Sequence, residues 1–190
     1  MDICVNEITK SFGEQKVFDR FSFCFPKGKT TCIMGESGCG KTTLVNLLLG
    51  LDVPDAGEIE GIPHEKMAAV FQENRLCENL SAMANVRLTA RRKLGEEEIL
   101  EAFHRVNLKE VRQKPVRELS GGMKRRVAIV RAVLSGAECV VMDEPFKGLD
   151  EETRKMTAEY VKKNLQGKTL IVVTHDAKDA DLLGADILRL

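Results

Sequence analysis

One run of eight residues constrains this chain more than any other: Gly35-Glu36-Ser37-Gly38-Cys39-Gly40-Lys41-Thr42. It matches G-x-x-x-x-G-K-[ST], and the flanks suit the motif: 30–34 reads as a strand and 42–51 as a helix. Glycines at these points let the backbone wrap closely around phosphates, so successive N–H groups and the helix N-terminus face the anion. Lys41 is then expected to reach the β- and γ-phosphates of a nucleoside triphosphate, and the Thr42 hydroxyl to ligate Mg²⁺. Thr43 completes the expected contact set. Cys39, inside the loop and near a helix N-terminus, stands where a thiol gains reactivity. The loop alone does not separate a kinase from a GTPase or an ATPase.

Around it the pattern changes twice. Residues 3–12, 17–25 and 30–34 read as strands, separated by Gly13-Glu14 and Pro26-Lys27-Gly28. The helix at 42–51 carries a Val45, Leu48, Leu49 face and is closed by Gly50 and Pro54. A short strand is expected at 67–71. From 80 to about 110 the chain is helical in pattern and strongly charged, broken by Gly95 and ended before Pro115. Ser120 caps a further helix, with Met123, Val127, Val130 and Leu134 on one face. Residues 139–142 and 169–173 are all-apolar runs of the kind buried on both sides of a sheet, and a charged helix at 151–165 lies between them. The expected fold is α/β: one domain over 1–190, with an N-terminal antiparallel β-region and a helical insertion at roughly 73–135.

Charge narrows the partners. Twenty-nine basic and 29 acidic residues cancel, so no global field would hold nucleic acid, and none is expected as a partner. The six cysteines are scattered without a C-x-x-C pair; they are expected to be separate small hydrophobes in a reducing compartment, not a disulfide framework. The N-terminus lacks a signal-peptide layout, and no apolar run approaches the roughly 20 residues needed to cross a bilayer.

Further segments, in a fixed order, resemble the ATP-binding subunits of ABC transporters. Leu119-Ser120-Gly121-Gly122-Met123 resembles their signature, and Val140-Val141-Met142-Asp143-Glu144-Pro145 looks like their Walker B strand. Gly148-Leu149-Asp150 resembles the D-loop, Val173-Thr174-His175-Asp176 the switch histidine, and Gln72 stands where the family has its Q-loop. The resemblance spans Ile3 to Leu190. It implies a P-loop NTPase core with an antiparallel β-subdomain and a signature-bearing helical subdomain. It also implies ATP hydrolysis: Asp143 holding Mg²⁺ through water together with Thr42 and Gln72, Glu144 orienting or deprotonating the attacking water, and His175 contacting the γ-phosphate. Phe12 would stack on adenine. Ser120-Gly121-Gly122 is a second phosphate nest, which the family uses to grip the nucleotide of an opposed subunit in a head-to-tail sandwich, with Asp150 in the D-loop.

The implied partners are a second ATP-binding subunit, an integral membrane permease and, in import systems, a solute-binding protein. The implied location is the cytoplasmic face of the membrane. Phe71-Gln72-Glu73-Asn74-Arg75-Leu76, Met123 and Asp143-Glu144-Pro145-Phe146 resemble the nitrate/sulfonate/taurine importer branch. Asn74, Leu76, Leu80 and Met83 are candidates for docking a coupling helix. Departures are a short stretch between Lys41 and Gln72, an end at Leu190 that leads to the expectation of no C-terminal regulatory domain, Arg125 where Gln is common, and Lys147 where the family has a small residue. The rival reading is a soluble ABC ATPase acting on nucleic acid or ribosomes, which usually carries two cassettes or a coiled-coil insertion. A small-molecule kinase is disfavoured by the signature.

Overall fold

The structure, a computed structural model, describes all residues but 62, 63, 64, 110 and 112 in full, so the end of the predicted helical run near Glu110 lies outside the described residues. Its elements run β1 (Ile3–Phe12), β2 (Gln15–Phe25), β3 (Thr30–Met34), α1 (Lys41–Leu48), β4 (Ala56–Glu60), β5 (Met67–Val70), α2 (Ala82–Leu88), α3 (Glu96–Arg105) and α4 (Gly121–Leu134). They continue with β6 (Cys139–Asp143), α5 (Glu151–Asn164), β7 (Thr169–Val173), α6 (Ala177–Leu183) and β8 (Asp186–Arg189).

Two sheets form. The antiparallel sheet has the order β2-β1-β4, and the second has the order β5-β6-β7-β3-β8 with every pairing parallel. Every residue of β6 and β7 is buried, as their unbroken apolar runs require of strands covered on both faces. Alternation then divides them between two cores. Cys139, Val141, Ile171 and Val173 join α1 and the antiparallel sheet, whereas Val140, Met142, Leu170 and Val172 pack with the helical arm, α5 and α6. The α1 side chains Leu44, Val45, Leu47 and Leu48 are all buried, each contributing about 1.5–3 kcal/mol by leaving water.

Helix ends follow local chemistry. The Ser120 hydroxyl accepts from the Met123 amide and the Asp150 carboxylate from the Thr153 amide, each satisfying an N-terminal donor. Gly95 ends the break in the charged run as the N-cap of α3. Three elements escape the periodicity: β4 and β8, both largely exposed, and the short α6 capped by Asp176. α1 ends at Leu48 rather than 51, where Gly50 takes a left-handed turn.

One expectation needs correction. Cys4 and Cys24 are not separate thiols: they are bonded to each other across β1 and β2. The hairpin register sets residue 4 opposite residue 24, a juxtaposition that linear spacing does not reveal. Of the other four, only Cys32 and Cys139 are buried, and burial pushes both thiols up to about 12; Cys39 is half-buried and Cys77 exposed. Among the described residues, no helix is long and apolar enough to cross a membrane.

Candidate nucleotide site

The parallel sheet gathers one loop at the C-terminal end of each of four adjacent strands, the edge where ligands collect in such folds. β5 leads into Gln72, β6 ends in Asp143, β7 leads into His175, and β3 leads into the phosphate loop. These loops enclose a cavity of about 390 Å³ lined by Gly35, Ser37, Gly38, Gly40, Lys41, Thr42, Thr43, Gln72, Asp143, Glu144 and His175. Val17, Lys147 and Val173 complete its wall.

The phosphate loop owes its shape to backbone freedom. Gly38 and Gly40 hold φ of 87° and 103°, and a Cβ on Gly40 would come within 2.6 Å of Val17 Cγ1 and 2.9 Å of Phe18 Cζ. The β2 strand therefore presses directly on the loop, and a side chain at position 40 would force the two apart. The Lys41 ammonium donates to the carbonyls of Gly35 and Glu36, each at 2.7 Å, and lies 3.8 Å from the Cys39 thiol. It is thus held within the loop and has carbonyl bonds to exchange for phosphate oxygens. Glu36 and Cys39 belong to the loop without lining the cavity.

Opposite stand the two carboxylates. Asp143 is 6% exposed; burial, with the neighbouring Glu144 charge, holds its carboxyl above the usual carboxylate range despite Arg125, Lys41 and Lys147. The charged form is the disfavoured one in the fold, so at neutral pH this carboxylate costs stability. Asp143→Asn is expected to raise the melting temperature of the nucleotide-free chain by a few degrees. An unchanged or lower melting temperature would show that the carboxylate stabilises more than its desolvation costs.

Glu144 has φ 49°, a left-handed conformation that non-glycine residues seldom adopt and that clusters at functional sites. Its amide donates to the Val173 carbonyl at 2.9 Å, tying β6 to β7 at the site. His175 Nδ1 lies 2.8 and 2.9 Å from the two carboxylate oxygens of Glu144. An ionised carboxylate only accepts, so Nδ1 is the donor and Nε2 is left for another partner.

Gln72 is held from behind. Arg125, 9% exposed on α4, donates to the carbonyls of Phe71 and Gln72, and Arg131, two turns later, donates to those of Asn74 and Arg75. The helix that begins with Ser120 therefore grips the segment after β5. These two arginines and Lys147 have no counterpart in the site motifs; Arg125 and Lys147 were visible only as departures from them.

Not every predicted residue enters the cavity. Phe12 is 53% exposed with the Lys10 ammonium 5.2 Å from its ring, and Val17 takes the wall position instead. Ser120, Gly121 and Gly122 lie outside the cavity, as does Asp150; a Cβ on Gly122 would meet Leu149 of the adjacent turn at 3.5 Å. Of the coupling candidates, Met83 is buried yet lines a second cavity of about 440 Å³ with Ser81, Ala84, Arg87 and Leu88. Leu80 is 39% exposed and Leu76 packs on the core, and neither they nor Asn74 line that cavity.

Oxygen ligands from Thr42, Gln72 and Asp143 line the same cavity and suit Mg²⁺, which is commonly held by one or two carboxylates plus substrate phosphates. Among the described residues, no group of three or more His, Cys, Asp or Glu is placed to hold a metal ion by itself.

A profile of the ABC transporter family matches residues 18–147, more than half of the chain. The chain belongs to the ABC transporter family. An ABC relative, the aliphatic sulfonates import ATP-binding protein of Bacillus anthracis, is 35% identical over 99% of this chain and 80% of its own length. The spermidine/putrescine import ATP-binding protein of Aggregatibacter actinomycetemcomitans is 36% identical over 98% of this chain. This chain spans about half of that relative, 54% of its length. Among solved structures, the dimeric structure of a bacterial ABC transporter cassette superposes with a TM-score of 0.86 at 30% identity, covering 99% of this chain and 94% of that one. A post-hydrolysis state of the same cassette, bound to ADP and Pi, gives 0.85 at 28% identity. The fold is thus the α/β P-loop cassette of ABC proteins, with its antiparallel sheet, parallel sheet and helices.

Proposed function

We propose that this chain is an ATPase that works as a nucleotide-sandwich dimer, coupling ATP hydrolysis to solute import through a separate membrane permease. The observation that carries this reading is the meeting of Lys41, Thr42, Gln72, Asp143, Glu144 and His175 in one cavity while Ser120, Gly121 and Gly122 lie outside it. A second phosphate nest outside its own chain's cavity is explained by an opposed subunit. The similarity to a dimeric cassette supports that arrangement.

In this reading the whole chain is one ABC cassette, 1–190, with residues of about 73–135 as its helical subdomain. Loop amides and Lys41 bind the β- and γ-phosphates. Mg²⁺, held by Thr42, Gln72 and, through water, Asp143, would offset the phosphate charge. Glu144 accepts a proton from the attacking water, and His175, oriented through Nδ1, presents Nε2 to the γ-phosphate. Phe12, exposed at the end of β1, offers a ring to adenine. Ser120, Gly121 and Gly122 bind the γ-phosphate of the opposed subunit, beside the Asp150 turn.

The relatives' names span polyamines and sulfonates, so the likeness supports import coupling more than any one solute. We place the chain in the nitrate/sulfonate/taurine branch, on the motif details at 71–76, Met123 and 143–146, with support from the sulfonate-import relative. Its place is then the cytoplasmic face of the membrane beside the permease, with a solute-binding protein supplying solute.

The test is recovery of partners. Tagged Glu144→Gln chain, loaded with ATP and Mg²⁺, is retrieved from gently solubilised membranes of the native host, and its companions are identified by mass spectrometry. A multi-span permease is expected. Ribosomes or nucleic acid instead would replace transport with the soluble-ATPase reading.

A further inference from the structure

We propose that Lys147 is a second phosphate-binding cation of this site, directed at the terminal phosphate of the bound triphosphate. The inference rests on the nucleotide reading above and extends it to a residue that the site motifs do not include.

Lys147 lies in the turn between β6 and α5, four residues beyond Asp143. That turn begins at the left-handed Glu144, whose carbonyl accepts from the Lys147 amide at 3.3 Å. The chain therefore doubles back toward the sheet edge, and Lys147 lines the same cavity as Gly38, Lys41, Thr42 and His175.

The two lysines of the cavity differ in their attachments. Lys41 is bonded to two loop carbonyls, whereas the Lys147 ammonium has no hydrogen bond or ion pair among the described residues. An exposed lysine with a flexible stem turns toward an anion at low cost. The charge balance gives it a reason to do so. Asp143 and Glu144 place two carboxylates against Lys41, and a triphosphate would add several more negative charges. A second cation on the carboxylate side offsets that repulsion where the γ-phosphate must lie, between the loop and Glu144.

Such a contact favours the triphosphate over the diphosphate, because only the former carries the group that Lys147 meets. Loss of the γ-phosphate would leave Lys147 unpaired again and weaken the hold on the product side of the site. The family pattern has a small residue at this position, so the cation is a departure carried by this chain.

The test titrates the full chain with fluorescent N-methylanthraniloyl ATP and ADP in Mg²⁺, as wild type, Lys147→Met and Lys147→Arg. Thermal melts check that the exposed substitution leaves the fold intact. The methionine variant is expected to bind the ATP analogue about tenfold more weakly while ADP binding stays within about twofold. Arginine is expected to restore the ATP preference. Equal weakening for both nucleotides, or no change for either, would overturn the proposal. A wild-type chain that binds neither analogue would overturn the nucleotide reading and the proposal with it.

Discussion

Glu144→Gln is expected to bind ATP normally, to lose turnover by about 10²–10⁴-fold, and to accumulate as a dimer. The substitution keeps the size and polarity of the side chain and leaves the left-handed turn unaltered, but an amide cannot accept the proton of the attacking water. Its partner His175 retains an oxygen acceptor, so Nδ1 stays oriented. Lys41, Thr42 and the loop amides are untouched, which is why binding survives. With hydrolysis blocked, ATP remains between the phosphate loop of one subunit and Ser120, Gly121 and Gly122 of the other. Size-exclusion chromatography with light scattering should then report twice the 21.1 kDa of one chain when ATP and Mg²⁺ are present. A variant saturated with ATP that stays monomeric would contradict the sandwich, and one with wild-type turnover would remove Glu144 from the chemistry.

The second large effect is at Lys41. Lys41→Ala is expected to weaken ATP binding at least about 10²-fold and to abolish measurable hydrolysis, since charge-assisted bonds to phosphate are worth about 1.5–3 kcal/mol each. Two things are lost together. The phosphates lose their main cation, and the carbonyls of Gly35 and Glu36 lose the donor that now holds the loop, at 2.7 Å each. Titration with a fluorescent ATP analogue measures the first, and a thermal melt of the nucleotide-free chain isolates the second. Wild-type affinity in the alanine variant would move the site elsewhere. A binding defect with an unchanged melt would assign the whole effect to the phosphate contact.

Much of this was legible because the informative signals are local. A strand, a glycine-rich turn and a helix N-terminus are contiguous at 30–48, so the phosphate loop and its flanks follow from residue type and order alone. The all-apolar runs at β6 and β7 mark strands covered on both faces, and both are fully buried. Ser120 was expected as a cap and is one, because a hydroxyl before an amphipathic run satisfies the first orphan amides. β4 and α6 gave no such signal: β4 pairs with β1 at the sheet edge without an alternating pattern, and α6 spans only two turns.

Chain order determined the list of candidate groups: a lysine and threonine in a phosphate loop, a carboxylate pair ending an apolar strand, a histidine after another, and a glutamine after a third. Their convergence is a property of the strand order β5-β6-β7-β3, which puts residues 41, 72, 143 and 175 on one edge although they are scattered along the chain. Pairing between strands is non-local, and no periodicity reports it. The same holds for the Cys4–Cys24 bond, which depends on hairpin register, and for Arg125 and Arg131, whose grip on the Gln72 segment depends on how α4 lies against the end of β5. Lys147 is the sharpest case. In sequence it is only a departure from the family's small residue; the doubling back at Glu144 brings it to the wall of the cavity. Residue chemistry, in short-range order, is enough to say which groups can bind phosphate, whereas which of them share one phosphate is decided by long-range packing.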